Sequence, residues 1–233
     1  MQPFIRVIHS RPGKALWPAV CASLVLLTSS HALANPGRHA PLMDGARAKY
    51  GEPGVRALDA WQHLLDSARD LPEDAKLRRV NDFFNQRVAF QSDQEIWGTR
   101  DYWATPLETL VGRRGDCEDY SVAKYATLRL LGIPEHRLRL AYVVSTPGGP
   151  HGRIREAHLV LDYLPAPEAE PLVLDNLTSE IRPASRRPDL RPVFSFNREG
   201  LWFAGNDQVA GPAQEHLALW RQLLARMTAE GFE

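Results

Sequence analysis

The sequence predicts an α+β domain in which N-terminal helices pack on an antiparallel sheet. Apolar residues recur at helical spacing through the first half of the chain, whereas runs of strand-forming residues separated by Pro and Gly loops occupy the second half. Helices that precede the strands, rather than alternate with them, indicate α+β organisation. The charge is balanced, with 28 basic and 28 acidic residues, so no basic excess indicates a nucleic-acid-binding protein.

The first 34 residues have the pattern of a secretory signal peptide. Three positive charges precede a mostly apolar segment at 16–27, and Ala32-Leu33-Ala34 places small residues where a signal peptidase reads them. The apolar segment is shorter than the ~20 residues that a membrane-spanning helix needs, which favours cleavage over an uncleaved anchor. We therefore expect residues 1–34 to be removed and the mature chain to be exported.

The rest of the chain divides into an arm and a domain. Residues 35–53 contain Pro, Gly and charges without a clear period and predict a mobile N-terminal arm, so the domain is expected to span 54–233. Helices are predicted at 55–68, 71–88, 106–112, 116–131 and 214–227. Strands are predicted at 138–144, 157–163 and 172–174, with a further short strand within 193–203.

Removal of the signal peptide would take away Cys21 and leave Cys117 as the one cysteine of the mature chain. A lone thiol in an oxidising compartment is either a buried structural residue or a functional one. Cys117 lies where a predicted helix begins. There, free backbone N–H groups and the helix dipole stabilise a thiolate and could later bind an oxyanion. This position favours a nucleophile.

A thiol nucleophile needs a base, and the base needs a third group to orient it. Of the histidines, His158 is near the start of a predicted strand, where it would be held more firmly than in a loop; a core histidine with a satisfied hydrogen bond is the alternative. Asp162 lies four residues further on the same strand, ~13 Å away at ~3.3 Å per residue, which is too far. Asp175 directly follows an apolar run and is better placed, with a turn role as its alternative.

Three acids, Asp116, Glu118 and Asp119, flank Cys117 and oppose its ionisation, because like charges raise a thiol pKa. A divalent cation bound by these carboxylates would reverse that effect. Carboxylate oxygens suit Ca²⁺, and the sequence has no Cys/His cluster for zinc. The alternative is that Glu118 and Asp119 only favour the N-terminus of the helix.

Four blocks of sequence, in this order, resemble the bacterial transglutaminase-like cysteine proteinases, and among them the LapG-like periplasmic proteases. The blocks are Tyr102-Trp103-Ala104-Thr105-Pro106, Gly115-Asp116-Cys117-Glu118-Asp119-Tyr120, His158-Leu159-Val160-Leu161 and Leu174-Asp175-Asn176. The resemblance implies a papain/transglutaminase-like fold with a catalytic triad at Cys117, His158 and Asp175. It also implies Ca²⁺ dependence, with Asp116 and Glu118 as ligands and Asp119 as a further candidate. Leu159 stands where the family commonly has Met.

The same resemblance implies a function. A periplasmic endopeptidase of this type cuts a large surface adhesin near its N-terminus and so promotes biofilm dispersal, and the periplasmic domain of an inner-membrane cyclic-di-GMP receptor sequesters it. Two alternatives remain open: acyl transfer onto an amine by the same site, of the transglutaminase or amidase type, and a non-catalytic calcium-binding interaction module. Arg186 and Arg187 form either a solvated basic face or part of the receptor contact.

Overall fold

The computed structural model describes residues 40–147, 154–206 and 208–232. The predicted signal peptide therefore lies outside the described residues. The helices are α1 (Ala40–Ala68), α2 (Glu73–Arg87), α3 (Asp93–Ile96), α4 (Pro106–Gly112), α5 (Cys117–Leu130), α6 (Ala213–His216) and α7 (Ala218–Ala229). The strands are β1 (Ala89–Phe90), β2 (Arg114–Gly115), β3 (Leu138–Ser145), β4 (Glu156–Tyr163), β5 (Leu172–Leu174), β6 (Arg182–Pro183), β7 (Leu190–Phe196) and β8 (Leu201–Phe203). Within these ranges, no helix has the length and apolar character that crossing a membrane requires.

The main sheet has the order β6-β5-β4-β3-β7-β8, and every neighbouring pair is antiparallel. The long β3–β4 pair forms its centre. The short strand β5 pairs with β4 along the end of β4 alone, from Leu161 onward. A second, two-stranded sheet pairs β1 with β2 in parallel and places Phe90 opposite Gly115. This small sheet brings the chain that follows α2 beside the segment that precedes α5.

The helices cover one face of the main sheet. Leu159, Leu161 and Tyr163 of β4 join the large core that the helices form, and α5 lies at its centre, with every residue from 119 to 128 buried. On the other side of the same strand, Val160 joins a small separate cluster of valine and alanine side chains. Alternate residues of β4 thus serve two packed faces. The predicted α+β class, with helices on an antiparallel sheet, is confirmed.

The segment expected to be a mobile arm differs from that expectation over residues 40–53. These residues form the first part of α1, and Leu42 and Ala46 are buried in the core. Gly51 has the non-helical angles φ 60° and ψ −147°, so a kink divides the helix. Gly45, Gly51, Pro53 and Gly54 interrupt the apolar pattern of this segment, which is why the sequence shows no clear helical period here.

Candidate active site

Cys117 is the first residue of α5 and is the one free cysteine among the described residues. The helix begins with a reciprocal capping box between Asp116 and Asp119, which satisfies two of the free N–H groups at the helix start. One turn further, the Ser121 hydroxyl donates a hydrogen bond of 2.9 Å to the backbone carbonyl of Leu159. The backbone N–H of Leu159 in turn hydrogen-bonds Cys117 and lowers the pKa of its thiol.

These two contacts dock the first turn of α5 on β4 at the residue that follows His158. They are possible because β5 pairs with β4 only from Leu161 onward, so no strand among the described residues covers this side of Leu159. The start of the helix therefore occupies the unpaired edge of the strand that carries His158.

His158 and Asp175 are in direct contact. His158 Nε2 lies 2.8 Å from Asp175 Oδ1, and both side chains are buried. The backbone N–H of Leu177 donates to the same oxygen at 3.1 Å, and Arg187 Nη2 donates to Oδ2 at 2.7 Å. Burial opposes ionisation of Asp175, but the hydrogen bonds and charges of His158 and Arg187 hold its pKa well below the usual range. With Nε2 on Asp175, the imidazole has Nδ1 left for a second partner.

A buried lysine adds a second cation near Asp175. Lys124 belongs to α5, is 1% exposed and lies 5.7 Å from the centroid of the Tyr120 ring. Burial lowers the pKa of Lys124 to about 7, and the charges of Asp175 and Asp82 oppose this effect. The charge of Asp175 therefore favours the protonated form of Lys124, against the larger effect of burial.

Three carboxylates meet beside the start of α5. Asp93, Asp116 and Asp119 each place one oxygen within 4.8 Å of the others. Asp119 accepts hydrogen bonds from the backbone N–H groups of Ala104 at 2.7 Å and Asp116 at 3.3 Å. Asp93 accepts one from the backbone N–H of Tyr102 at 2.6 Å. The cluster thus ties the segment at 102–104 to α3 and α5.

Two oxygens of this cluster have no hydrogen-bond partner among the described residues. They are Oδ1 of Asp93 and Oδ1 of Asp116, and both are buried. Burial, followed by the negative charges of neighbouring acids, raises the pKa of Asp116 to about 9. Burial also raises the pKa of Asp119 to about 7 and raises that of Asp93. Hard oxygen donors with unused lone pairs fit a divalent cation such as Ca²⁺.

The cluster contains two of the three predicted metal ligands, Asp116 and Asp119, but not Glu118. Glu118 Oε2 instead accepts a hydrogen bond of 2.9 Å from Cys117 Sγ. The third carboxylate of the cluster belongs to Asp93. Sequence reasoning missed Asp93 because it lies far upstream, and the β1–β2 pairing that brings it near Asp116 involves only two residues of each strand.

The surroundings of the thiol oppose its ionisation. Burial is the largest cause that raises the pKa of Cys117, and the charge and hydrogen bond of Glu118 raise it further. The conflict between the flanking acids and a thiolate, expected from the sequence, is therefore present for Glu118 and, as a smaller effect, for Asp116.

Arg186 and Arg187, which the sequence treats alike, have different environments. Arg186 is exposed, whereas Arg187 is 5% exposed and binds Asp175 and Asp189. The prediction of a solvated face is therefore wrong for Arg187. Arg186 is the last residue of the short 3₁₀ helix at 184–186, and Arg187 directly follows this helix.

Comparison with known proteins agrees with this arrangement. A model of the family of bacterial transglutaminase-like cysteine proteinases matches residues 65–189. The EGTA-treated structure of Legionella pneumophila LapG is 39% identical, with a TM-score of 0.70, and the match covers 81% of this chain and 96% of that one. Its calcium-bound structure is 39% identical, with a TM-score of 0.68, over 79% of this chain and 97% of that one. A search of curated proteins gave no match.

The family match spans more than half of the chain, and the LapG match spans nearly the whole of that protein. The predicted transglutaminase-like protease fold and the predicted LapG-like relationship are both confirmed. The chain belongs to the bacterial transglutaminase-like cysteine proteinases and is a LapG-like protease.

Proposed function

We propose that this protein is a calcium-dependent periplasmic cysteine endopeptidase that cleaves the N-terminal region of a large surface adhesin. Release of the adhesin would promote biofilm dispersal, and the periplasmic domain of an inner-membrane cyclic-di-GMP receptor would control the enzyme by sequestering it. The observation that carries the chemical part is the buried His158–Asp175 pair beside the docked start of α5. The predicted signal peptide supports the location, and the LapG relationship supports the substrate class and the receptor.

Cys117 acts as the nucleophile and His158 as its base. Because Nε2 of His158 is bound to Asp175, Nδ1 exchanges the proton with Cys117. The thiolate attacks the peptide carbonyl, and His158 then protonates the leaving amine. Water, activated by the same imidazole, hydrolyses the acyl-enzyme. Backbone N–H groups at the start of α5 stabilise the oxyanion.

Asp93, Asp116 and Asp119 are the side chains that would bind Ca²⁺, and backbone carbonyls would complete the shell. The bound ion supplies positive charge beside the thiol, where burial and Glu118 raise its pKa. One of the related LapG structures is calcium-bound, which supports the same ion here.

The test is cleavage of purified adhesin N-terminal fragments by the protein, with calcium or with EGTA, beside Cys117→Ala. We expect a discrete cut only with calcium, and no cut by Cys117→Ala, although this variant keeps the fold and binds calcium. Cleavage that survives thorough EGTA treatment contradicts the calcium dependence. Undiminished cleavage by Cys117→Ala contradicts the thiol mechanism.

The same assay separates the two alternatives. A labelled primary amine competes with water for the acyl-enzyme, so incorporation of the amine in place of hydrolysis would identify an acyl transferase. A binding module would neither cut the adhesin fragment nor incorporate the labelled amine. Its Cys117 would react with iodoacetamide no faster than an ordinary thiol, whereas an activated thiol reacts fast near neutral pH.

A further inference from the structure

We infer that Arg187 is a positioning residue of the catalytic reaction, which fixes the carboxylate of Asp175 for its contact with His158. The inference rests on the proposed function, because it assigns Asp175 the role of orienting the base. It follows from the contacts of Asp175, Arg187 and Asp189.

The two oxygens of Asp175 have different partners. Oδ1 faces His158 Nε2 at 2.8 Å, and Oδ2 faces Arg187 Nη2 at 2.7 Å. A carboxylate that is bound through both oxygens cannot rotate about its Cβ–Cγ bond without breaking a charge-assisted hydrogen bond. Arg187 thus holds Oδ1 in the plane and direction that the imidazole requires.

Arg187 is itself held by a second carboxylate, that of Asp189. Its Nε lies 3.0 Å from Asp189 Oδ1, and its Nη2 lies 2.7 Å from Asp189 Oδ2. Its backbone is fixed as well, since its N–H donates to Ala184 O at 2.9 Å and its carbonyl accepts from Leu190 N–H at 3.0 Å. A guanidinium can bridge two carboxylates in this way because its donors lie in one rigid plane. The ammonium group of a lysine would supply the charge but not the planar set of donors that bridges the two carboxylates.

The stability of the fold alone does not account for this arrangement. Arg187 is 5% exposed, and its Nη1 is buried without a hydrogen-bond partner among the described residues. Burying a guanidinium with an unsatisfied donor costs free energy, and buried ion pairs are often no more stabilising than apolar packing. The site nevertheless places this cation against Asp175, which points to a role in the reaction.

The experiment compares Arg187→Met, Arg187→Lys and Asp189→Asn with Arg186→Met, which changes the exposed neighbouring arginine. With an adhesin fragment as substrate, we expect Arg187→Met to lower kcat by about 10- to 100-fold, as loss of a supporting hydrogen bond at an active site does. KM should change less than about twofold, because the buried side chain does not reach the substrate. Arg187→Lys should lower kcat less than Arg187→Met does, because it keeps the positive charge. Arg186→Met should have the kcat of the unchanged protein.

Asp189→Asn keeps Arg187 but weakens its anchor, so it provides a second measurement if Arg187→Met does not fold. We expect a smaller fall in kcat, again at constant KM. Unchanged kcat in folded Arg187→Met, or in Asp189→Asn where Arg187→Met does not fold, would overturn the inference. A rise in KM with constant kcat would do the same, since it would place Arg187 in substrate binding.

A substrate-independent measurement separates this inference from the proposed function. The rate at which iodoacetamide alkylates Cys117 is followed by mass spectrometry of the peptide that contains it. We expect Arg187→Met to slow this rate by about tenfold near neutral pH, because a misdirected imidazole pairs poorly with the thiolate. If the unchanged protein cuts no adhesin fragment but this slowing occurs, the substrate proposal fails and the role of Arg187 stands. Equal alkylation rates in Arg187→Met and Arg186→Met refute that role.

Discussion

Cys117 Sγ donates a hydrogen bond to Glu118 Oε2 at 2.9 Å, so the carboxylate of the next residue covers the thiol. Glu118 is not one of the three clustered carboxylates, but its charge acts on Asp116 as well as on the thiol. The contact also adds to the effect of burial in raising the pKa of Cys117. In the absence of calcium, the arrangement therefore favours the protonated thiol.

Replacement of Glu118 by Gln should make the thiol more reactive when calcium is absent. The substitution removes the negative charge but keeps an acceptor, so it lowers the pKa of Cys117. We expect faster alkylation of Cys117 by iodoacetamide in EGTA at neutral pH than in the unchanged protein. Glu199→Gln, at an exposed position whose backbone alone is hydrogen-bonded, is the control. A rate equal to that of the control would mean that Glu118 does not govern the thiol.

Asp93→Asn should weaken calcium binding, although Asp93 belongs to none of the sequence blocks near the nucleophile. Asp93 supplies one of the three clustered carboxylates and has an unpartnered buried oxygen. The number of charged ligands sets calcium affinity, so we expect the dissociation constant to rise by at least about tenfold. Isothermal titration calorimetry measures this directly.

Thermal unfolding gives a second readout of the same site. Calcium at about one hundred times its dissociation constant should stabilise the unchanged protein by about 2.7 kcal/mol, and Asp93→Asn should lose most of this gain at the same concentration. Asp70→Asn, on the exposed surface, should retain it. Equal gains in both variants would exclude Asp93 from the ligand set.

Gly115→Ala should disturb the cluster through the backbone. A Cβ atom at this position would lie 2.5 Å from Asp119 Oδ2 and 2.7 Å from Asp119 Cβ, closer than real contacts allow. Asp119 would have to move away from the N–H groups of Ala104 and Asp116. We expect a loss of about 1–3 kcal/mol in the free energy of unfolding, together with weaker calcium binding.

Gly112→Ala is the matched control for this substitution. Its new Cβ would meet only Arg114 Cγ, at an ordinary 3.7 Å. Urea unfolding and calcium titration of the two variants should therefore differ clearly. If Gly115→Ala behaves as Gly112→Ala does, the close approach to Asp119 does not constrain the site.

The sequence predicts those site residues that lie at the ends of locally specified elements. Cys117 begins a helix with clear start signals, His158 lies near the start of a strand, and Asp175 follows an apolar run. Each position can be read within a few residues of its neighbours. The contact between His158 and Asp175 then follows from the antiparallel pairing of β4 with β5.

Asp93 and Arg187 could not be predicted in the same way. Asp93 reaches the cluster through the parallel pairing of two-residue strands, which leaves no periodic pattern in the sequence. Arg187 is buried directly after a short 3₁₀ helix in the connection between β6 and β7, and nothing in the sequence separates it from Arg186. Both residues depend on long-range packing, and local propensity does not encode such packing.

Asp175→Asn tests the buried ion pairs through the pH dependence of stability. The pKa of Asp175 is lower in the folded protein than in the unfolded chain, so its ionised form contributes stability above the unfolded-state pKa of about 3.9. That contribution disappears as the pH falls toward the folded-state pKa. At neutral pH we expect Asp175→Asn to lose about 3 kcal/mol, because it leaves the buried guanidinium of Arg187 without this partner.

Urea unfolding from pH 2.5 to pH 7 measures this difference between the two proteins. The difference should be constant above about pH 5 and should shrink below about pH 4, where the unfolded-state carboxyl takes up its proton. Subtraction of the two curves cancels the titration of carboxylates that the variants share, so the remaining slope belongs to Asp175 and its partners. A difference that stays constant down to pH 2.5 would mean that the ionised carboxylate contributes nothing to stability. The contacts with His158 and Arg187 would then be sites of function without a stabilising role.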